Sequence, residues 1–248
     1  MRIALLTLVA AAVPVFAQAA ACTARSPAFT TAFVELYTSE GCNSCPPADR
    51  WLSATAKAYP RDRVVPLALH VDYWDYIGWK DPYARREFSQ RQRRLSQLQR
   101  VALVYTPQVV LQGADFRAWA GAEFDRAVER INARPATAHL GLAILEHGAS
   151  AFRVQVDARA AAPEAQVYLA AYESGLSSQV LAGENRGRVL PHDYVALEWK
   201  GPYELGRHYV DLAYLPKAKP ADSGVAAFVQ NHRTGEVLQA LMLGVCNP

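Results

Sequence analysis

Apolar positions follow two regimes along the chain. Up to about residue 135, unbroken apolar runs alternate with stretches of helical period. Phe33–Tyr37 reads as a strand, Pro47–Ala58 as a helix and Val64–His70 as a second strand. Pro82–Gln99 predicts a helix, with Ala84, Phe88, Leu95 and Leu98 at helical spacing. Thr106–Leu111 is a strand opening at a proline, Gln112-Gly113-Ala114-Asp115 a turn, and Ala122–Asn132 a helix with Phe124, Val128 and Ile131 on one face. Strands alternating with helices predict an α/β layer around a largely parallel sheet.

The pattern changes after Arg134-Pro135. Leu140–Leu145, Phe152–Val156, Val167–Tyr172, Tyr194–Trp199, Tyr209–Leu215, Val225–Gln230 and Leu238–Val245 are short β-like runs separated by Gly, Pro, Asp and Asn clusters. Such spacing predicts an antiparallel sandwich. The expected organisation is a leader over residues 1–21, an α/β domain over 22–136 and a β-rich, sandwich-like domain over 137–248.

The leader reading rests on Met1-Arg2, the apolar run Ile3–Phe16 and the small residues Ala17-Gln18-Ala19, with cleavage expected between Ala19 and Ala21. The run is too short for an ordinary membrane span, so the mature chain is expected to be periplasmic or secreted, with no integral membrane segment. Cleavage just before Cys22 would instead make a lipoprotein, but Ala19 stands where that signal wants a bulky aliphatic residue. The net charge of +3 over 248 residues is mild, and it gives no reason to expect a nucleic-acid partner. Arg85, Arg86, Arg91, Arg93, Arg94 and Arg100 make one helix locally basic, which reads as a solvated face.

An exported chain with four cysteines has room for two bridges. Cys42 and Cys45 form a Cys-x-x-Cys pair at a strand-to-helix junction, the usual place for thiol–disulfide chemistry. Helix N-terminal N–H groups stabilise a thiolate, the nucleophilic form. Cys42 is expected at the cap as the more acidic and more exposed attacking thiol, with Cys45 one turn inside as the resolving one. Pro46 and Pro47 suit the first helical positions. An inert bridge and half of a zinc site are the alternatives, though no second Cys pair or close His pair completes four ligands. Cys22 and Cys246 then remain as a structural disulfide joining the ends of the mature chain.

The strand, the Cys-x-x-Cys pair, the helix and the later Thr-Pro before a strand resemble the thioredoxin fold. The longer string Val34–Asp49 is similar to an exported bacterial family of thioredoxin-like proteins of unknown function with a Gly-Cys-x-Ser-Cys-Pro-Pro motif. His70–Asp75, Trp79–Pro82, Tyr105–Gln108, Gly183–Gly187 and Phe228–Gln230 fit it too. The resemblance implies that Thr106 and a cis Pro107 face the disulfide and present main-chain groups to an extended substrate. It also implies that Glu35 is a buried general base for the resolving thiol. The alternative for Glu35 is an outward-pointing edge position.

The dense segment from His70 to Trp79, with Asp72 and Trp74 as candidate substrate contacts, lines a peptide groove or packs over the domain junction. A metal site involving His70 and Asp72 is the third alternative. Glu184, Asn185 and Arg186 read as a structural turn or an interdomain contact. The function expected is thiol–disulfide exchange on peptide or protein substrates, with an unidentified redox partner and neither cofactor nor metal. The competing reading is a non-enzymatic binding or copper/zinc-handling module whose Cys42–Cys45 bridge is structural.

Overall fold

The computed structural model describes residues 22–101, 103–214 and 219–246. The expected leader lies outside them, as does Leu215 at the end of one expected strand. β1 (Thr23–Arg25) and β2 (Ala32–Thr38) precede α1 (Pro46–Ala58) and β3 (Val64–His70). A 3₁₀ segment, Asp72–Ile77, leads to α2 (Arg86–Leu98), β4 (Gln108–Leu111), β5 (Ala114–Asp115) and α3 (Ala122–Asn132). α2 starts four residues later than its apolar spacing predicts. Arg85 is extended there and donates its N–H to His70 O, while the Asp81 carboxylate accepts the Tyr83 N–H, so this stretch cannot join the helix.

β6 (Ala138–His147), β7 (Ala151–Ala160) and β8 (Ala165–Glu173) open the β-rich half. β9 (Leu176–Gln179), β10 (Val189–His192), β11 (Val195–Tyr203), β12 (Gly206–Ala213), β13 (Ser223–Asn231) and β14 (Val237–Gly244) follow. One eight-stranded sheet has the order β14-β13-β8-β11-β3-β2-β4-β5. A four-stranded sheet has the order β1-β6-β7-β12, and β9 and β10 form a separate hairpin.

One expectation is corrected by this topology. The large sheet is mixed: β2–β3 and β3–β11 run parallel and its other neighbours antiparallel, because four of its strands come from the hairpin-connected second half. Residues 22–136 and 137–248 also share sheets, since β11 continues the large sheet from β3 and β1 joins β6.

Burial explains why the central strands are apolar on both faces. In β8, Val167, Leu169 and Ala171 pack with Leu142, Val154, Val156 and Leu212 of the smaller sheet. The alternate residues Tyr168 and Tyr172 face the other way, with Phe33, Leu67, Phe88 and Phe228. In β2, Val34 and Leu36 point to α1 and α3, against Leu52, Phe124 and Val128. The first and last described residues, Cys22 and Cys246, are tied by a disulfide with a sequence separation of 224. For so long a loop the chain-entropy estimate of stabilisation is about 5 kcal/mol.

One arginine of α2 leaves the solvated face expected for it. Arg91 is buried to 10% side-chain exposure and grips Glu35, fully buried, at 2.6 and 3.1 Å. It also donates to Gln230 Oε1, and its guanidinium carbon lies 4.8 Å from the ring centroids of both Trp199 and Phe228. Burial alone would lower its pKa, and the Glu35 carboxylate more than reverses that. Removing one member of a buried pair strands the other charge. Arg91→Met should therefore cost about 3–5 kcal/mol in urea denaturation, and Glu35→Leu combined with it much less. A double variant as unstable as the single one would show that the pair itself carries the stability.

Candidate functional site

β2 ends at Thr38, and the turn Ser39–Cys45 carries the chain into α1. The turn closes through Cys42 N–H to Ser39 O at 3.1 Å and Gly41 N–H to Ser39 Oγ at 3.1 Å. A Cβ on Gly41 would lie 3.1 Å from Trp74 Cβ and 3.2 Å from Ile77 Cδ1, so the 3₁₀ segment packs directly on this glycine. Cys42 and Cys45 are joined as a disulfide.

The structure revises the placement expected for Cys42. Cys45 is the cap of α1 and accepts the N–H groups of Ala48 and Asp49, whereas Cys42 lies three residues earlier. Pro46 and Pro47 occupy the first two helical positions and bring no N–H. Neither cysteine is exposed: both have 0% accessibility. The nearest side-chain hydroxyl is Ser44 Oγ, 3.3 Å from Cys42 Sγ.

The aromatic segment bridges this turn to the next loop. Trp74 Nε1 donates to Thr106 Oγ1 at 2.8 Å while its Cβ rests on Gly41. The Thr106–Pro107 bond is cis. Gln108 then pairs opposite Tyr37, which puts Thr106 and Pro107 at the end of β2 from which the dithiol turn leaves. Asp72 belongs elsewhere: its carboxylate accepts the Ser89 hydroxyl and fastens the 3₁₀ segment to α2.

Glu35 is not brought to the cysteines. It shares its face of β2 with Phe33 and Tyr37, the α2 side, whereas α1 packs on Val34 and Leu36. Its carboxylate is held by Arg91 and by the Tyr37 hydroxyl at 3.0 Å. Burial, then the Glu35 charge, holds the Tyr37 phenol well above its usual range.

A different set of acids lies beneath the turn. Glu40 accepts Trp79 Nε1–H at 2.8 Å on one oxygen and pairs with His192 Nε2 at 3.0 Å through the other. Its N–H donates to Asp81 Oδ2, which pairs with His70 Nδ1 at 2.7 Å. The two imidazoles stand nearly perpendicular, with centroids 4.9 Å apart. Burial would depress His70, but Asp81, Asp49 and Glu40 raise its pKa. Burial would likewise raise Asp81, and His70 overrides it downward.

Asp49 completes the layer. It follows Cys45 by four residues on α1, and such residues share a helix face. Burial pushes its carboxyl upward, and His192 and His70 pull it back only in part. Asp49 Oδ1 and His70 Nε2 are buried without hydrogen-bond partners among the described residues. The i, i+4 spacing from Cys45 was the available sequence signal for Asp49. The partnership of Glu40 with His192 spans 152 positions and leaves no local pattern.

The β9–β10 hairpin closes the site from the other half. Asn185, fully buried, donates through Nδ2 to Glu40 O at 2.8 Å and Cys42 O at 2.9 Å. Glu184 Oε2 accepts the Asn43 N–H at 3.0 Å. Gly183 has φ +74, and a Cβ there would meet Ile77 Cδ1 at 2.8 Å, so only glycine lets this turn seat on the 3₁₀ segment. Among the described residues, no group of three or more His, Cys, Asp or Glu is placed to hold a metal ion. Nor is any helix among them long and apolar enough to cross a membrane.

Residues 33–230 match the family model described as Protein of unknown function (DUF1223). Among solved structures, protein AGR_C_4864 from Agrobacterium tumefaciens is 25% identical, with a TM-score of 0.62 over 90% of this chain and 98% of that one. HBP35 of Porphyromonas gingivalis, at 12% identity, shares the fold with a TM-score of 0.64 over 89% of this chain and 76% of its own. No curated protein matches the chain.

The buried acid layer has a pH signature. With Asp49 raised above its unfolded value, the folded chain keeps a proton that the unfolded chain has lost, so stability falls as pH rises through that window. Asp49→Asn should match the parent near pH ~4 and gain on it as pH rises, by about 1.4 kcal/mol per unit of upward shift. Urea denaturation of the oxidised protein from about pH 4 to about pH 8 reads the difference. Parallel pH profiles would show that Asp49 titrates normally.

Proposed function

We propose that this chain, which belongs to the family described as Protein of unknown function (DUF1223), is an exported thiol–disulfide oxidoreductase acting on peptide or protein substrates. The observation that carries the reading is the Cys42–Cys45 disulfide at the β2–α1 junction, above a buried carboxyl four residues beyond Cys45. The order β2-α1-β3-α2-β4-β5-α3, with β3 parallel and β4 antiparallel to β2, supports a thioredoxin-like half, and the packed sheets of the second half a sandwich-like one. The leader-like first residues and the Cys22–Cys246 bond favour a periplasmic or secreted location.

In the reducing direction, Cys42 thiolate attacks one sulfur of a substrate disulfide and releases the other as a thiolate. Cys45 hands its proton to the Asp49 carboxylate and attacks Cys42 Sγ. The substrate's second sulfur leaves as a thiolate, and the Cys42–Cys45 bond re-forms. Two electrons pass from the dithiol to the substrate, and the reverse sequence oxidises a substrate dithiol. A partner dithiol or disulfide protein restores the starting state. Thr106, Pro107 and Trp74, which reach the dithiol turn through Trp74 on Gly41, would contact the substrate chain.

The burial of both cysteines favours one competing reading, a binding module in which their bridge is structural. Exchange with a disulfide-bonded peptide separates the two. The parent protein should catalyse exchange, and Cys45→Ala should accumulate mixed disulfides through Cys42. Absence of exchange in both directions, with no trapped species, would leave the structural bridge as the function of this pair.

A further inference from the structure

Residues of both halves hold the dithiol turn, and those from the second half include Glu184 and Asn185. We infer that Glu184 and Asn185 form a clasp on this turn that sets both the acidity of Cys42 and its accessibility, making them positioning residues for the exchange reaction. The inference rests on Cys42 being the working thiol of that reaction.

Two independent contacts build the clasp. The Asn185 carboxamide is oriented by Arg188, whose Nη1 donates to Asn185 Oδ1 at 2.8 Å. Its Nδ2 must then face the carbonyls of Glu40 and Cys42, as it does at 2.8 and 2.9 Å. One buried amide thus spans the turn on both sides of Gly41 and fixes the backbone that carries Cys42. Glu184 acts on charge: its carboxylate occupies the Asn43 N–H, the amide next to Cys42. That donor matters because Pro46 and Pro47 have already removed two others from the start of α1. The anion is thereby held on the peptide group that joins Cys42 to Asn43.

The remaining charges around the turn do not duplicate this effect. Glu40 on the turn is paired with His192 of β10, and Asp81 with His70 of β3. Asp49 of α1 is held toward its neutral form, and Asp75 of the 3₁₀ segment is raised by burial. Arg188 is committed to Asn185 Oδ1. Arg186, also on the hairpin turn, is exposed. Glu184 makes no ion pair among the described residues and is itself exposed, so its carboxylate can be replaced without opening the core.

The test measures alkylation of the reduced full chain by iodoacetamide against pH, with the labelled thiol identified by peptide mapping. Glu184→Gln should lower the Cys42 pKa by about half to one unit, as expected for an exposed charge within several ångströms. It should also raise the ratio of reduced to oxidised protein at glutathione equilibrium by up to about tenfold, equivalent to about 30 mV. Its thermal stability should match the parent, which separates charge from structure. Asn185→Ala should accelerate alkylation of Cys42 severalfold at a pH where the thiol is fully ionised, since only access then limits the rate. An unchanged pKa in Glu184→Gln, or an unchanged limiting rate in Asn185→Ala, overturns the clasp. Neither readout needs a substrate, so a parent protein inert in exchange would refute the oxidoreductase reading while leaving the clasp to stand or fall on these rates.

Discussion

A guanidinium held among aromatic rings requires an anion at fixed distance, and Arg91 imposes that requirement on elements from both halves of the chain. Its partner Glu35 is in β2, the rings over it come from β8, β11 and β13, and Gln230 of β13 takes a further N–H. Two charges taken out of water are a liability unless every contact is made together. The contacts are made only if β11 lies against β3, bringing Trp199 and Tyr168 over α2. The same adjacency carries the chain out of β8 and back through β11 by way of the β9–β10 hairpin. A pair remote from the cysteines therefore helps place the residues that cover them.

At the dithiol turn the electrostatic influences oppose one another. The start of a helix favours an anion. Yet the two prolines at the start of α1 contribute no N–H, the Asn43 amide is taken by Glu184, and the Cys45 amide donates to Cys42 O. Beneath the turn the acids Glu40 and Asp81 are matched one for one by His192 and His70, while Asp49 is pushed toward its neutral form. In the layer under the cysteines the carboxylates of Glu40 and Asp81 are thus each paired with an imidazole, and the exposed carboxylate of Glu184 is left without an ion pair among the described residues. Cys-x-x-Cys spacing alone does not convey such a balance.

What could be read from the sequence follows the range of the interactions involved. β3 and α3 match their predicted limits because each is specified by its own apolar pattern and local breakers. α2 starts later than its apolar spacing predicts because Asp81 and His70, contacts outside the helix, capture the residues ahead of it. Arg91 is indistinguishable in sequence from the arginines around it, since its burial depends on rings more than 70 positions away. Glu35 drew attention as a charge in an apolar strand, and its burial is real, but strand alternation puts it on the α2 face. Asp49 serves the cysteine face from within an ordinary-looking helix. Apolar patterning does not reveal β9 and β10, because four-residue strands with alternating exposure carry little apolar signal.

That hairpin is what the β-rich half brings to the dithiol turn. It belongs to neither large sheet, and an isolated two-stranded hairpin is marginal in water. Its order therefore depends on what it docks against: Glu40, Cys42, Asn43 and Ile77 on the dithiol side, and Tyr83 through the Ser178 hydroxyl. Coupling of this kind is reciprocal. If a seated hairpin favours one geometry of the Cys42 turn, then whatever changes that turn, including reduction of its disulfide, must change the affinity of the hairpin for it by the same factor. On that condition the redox state of two cysteines in the first half and the docking of a short arm of the second are parts of a single equilibrium.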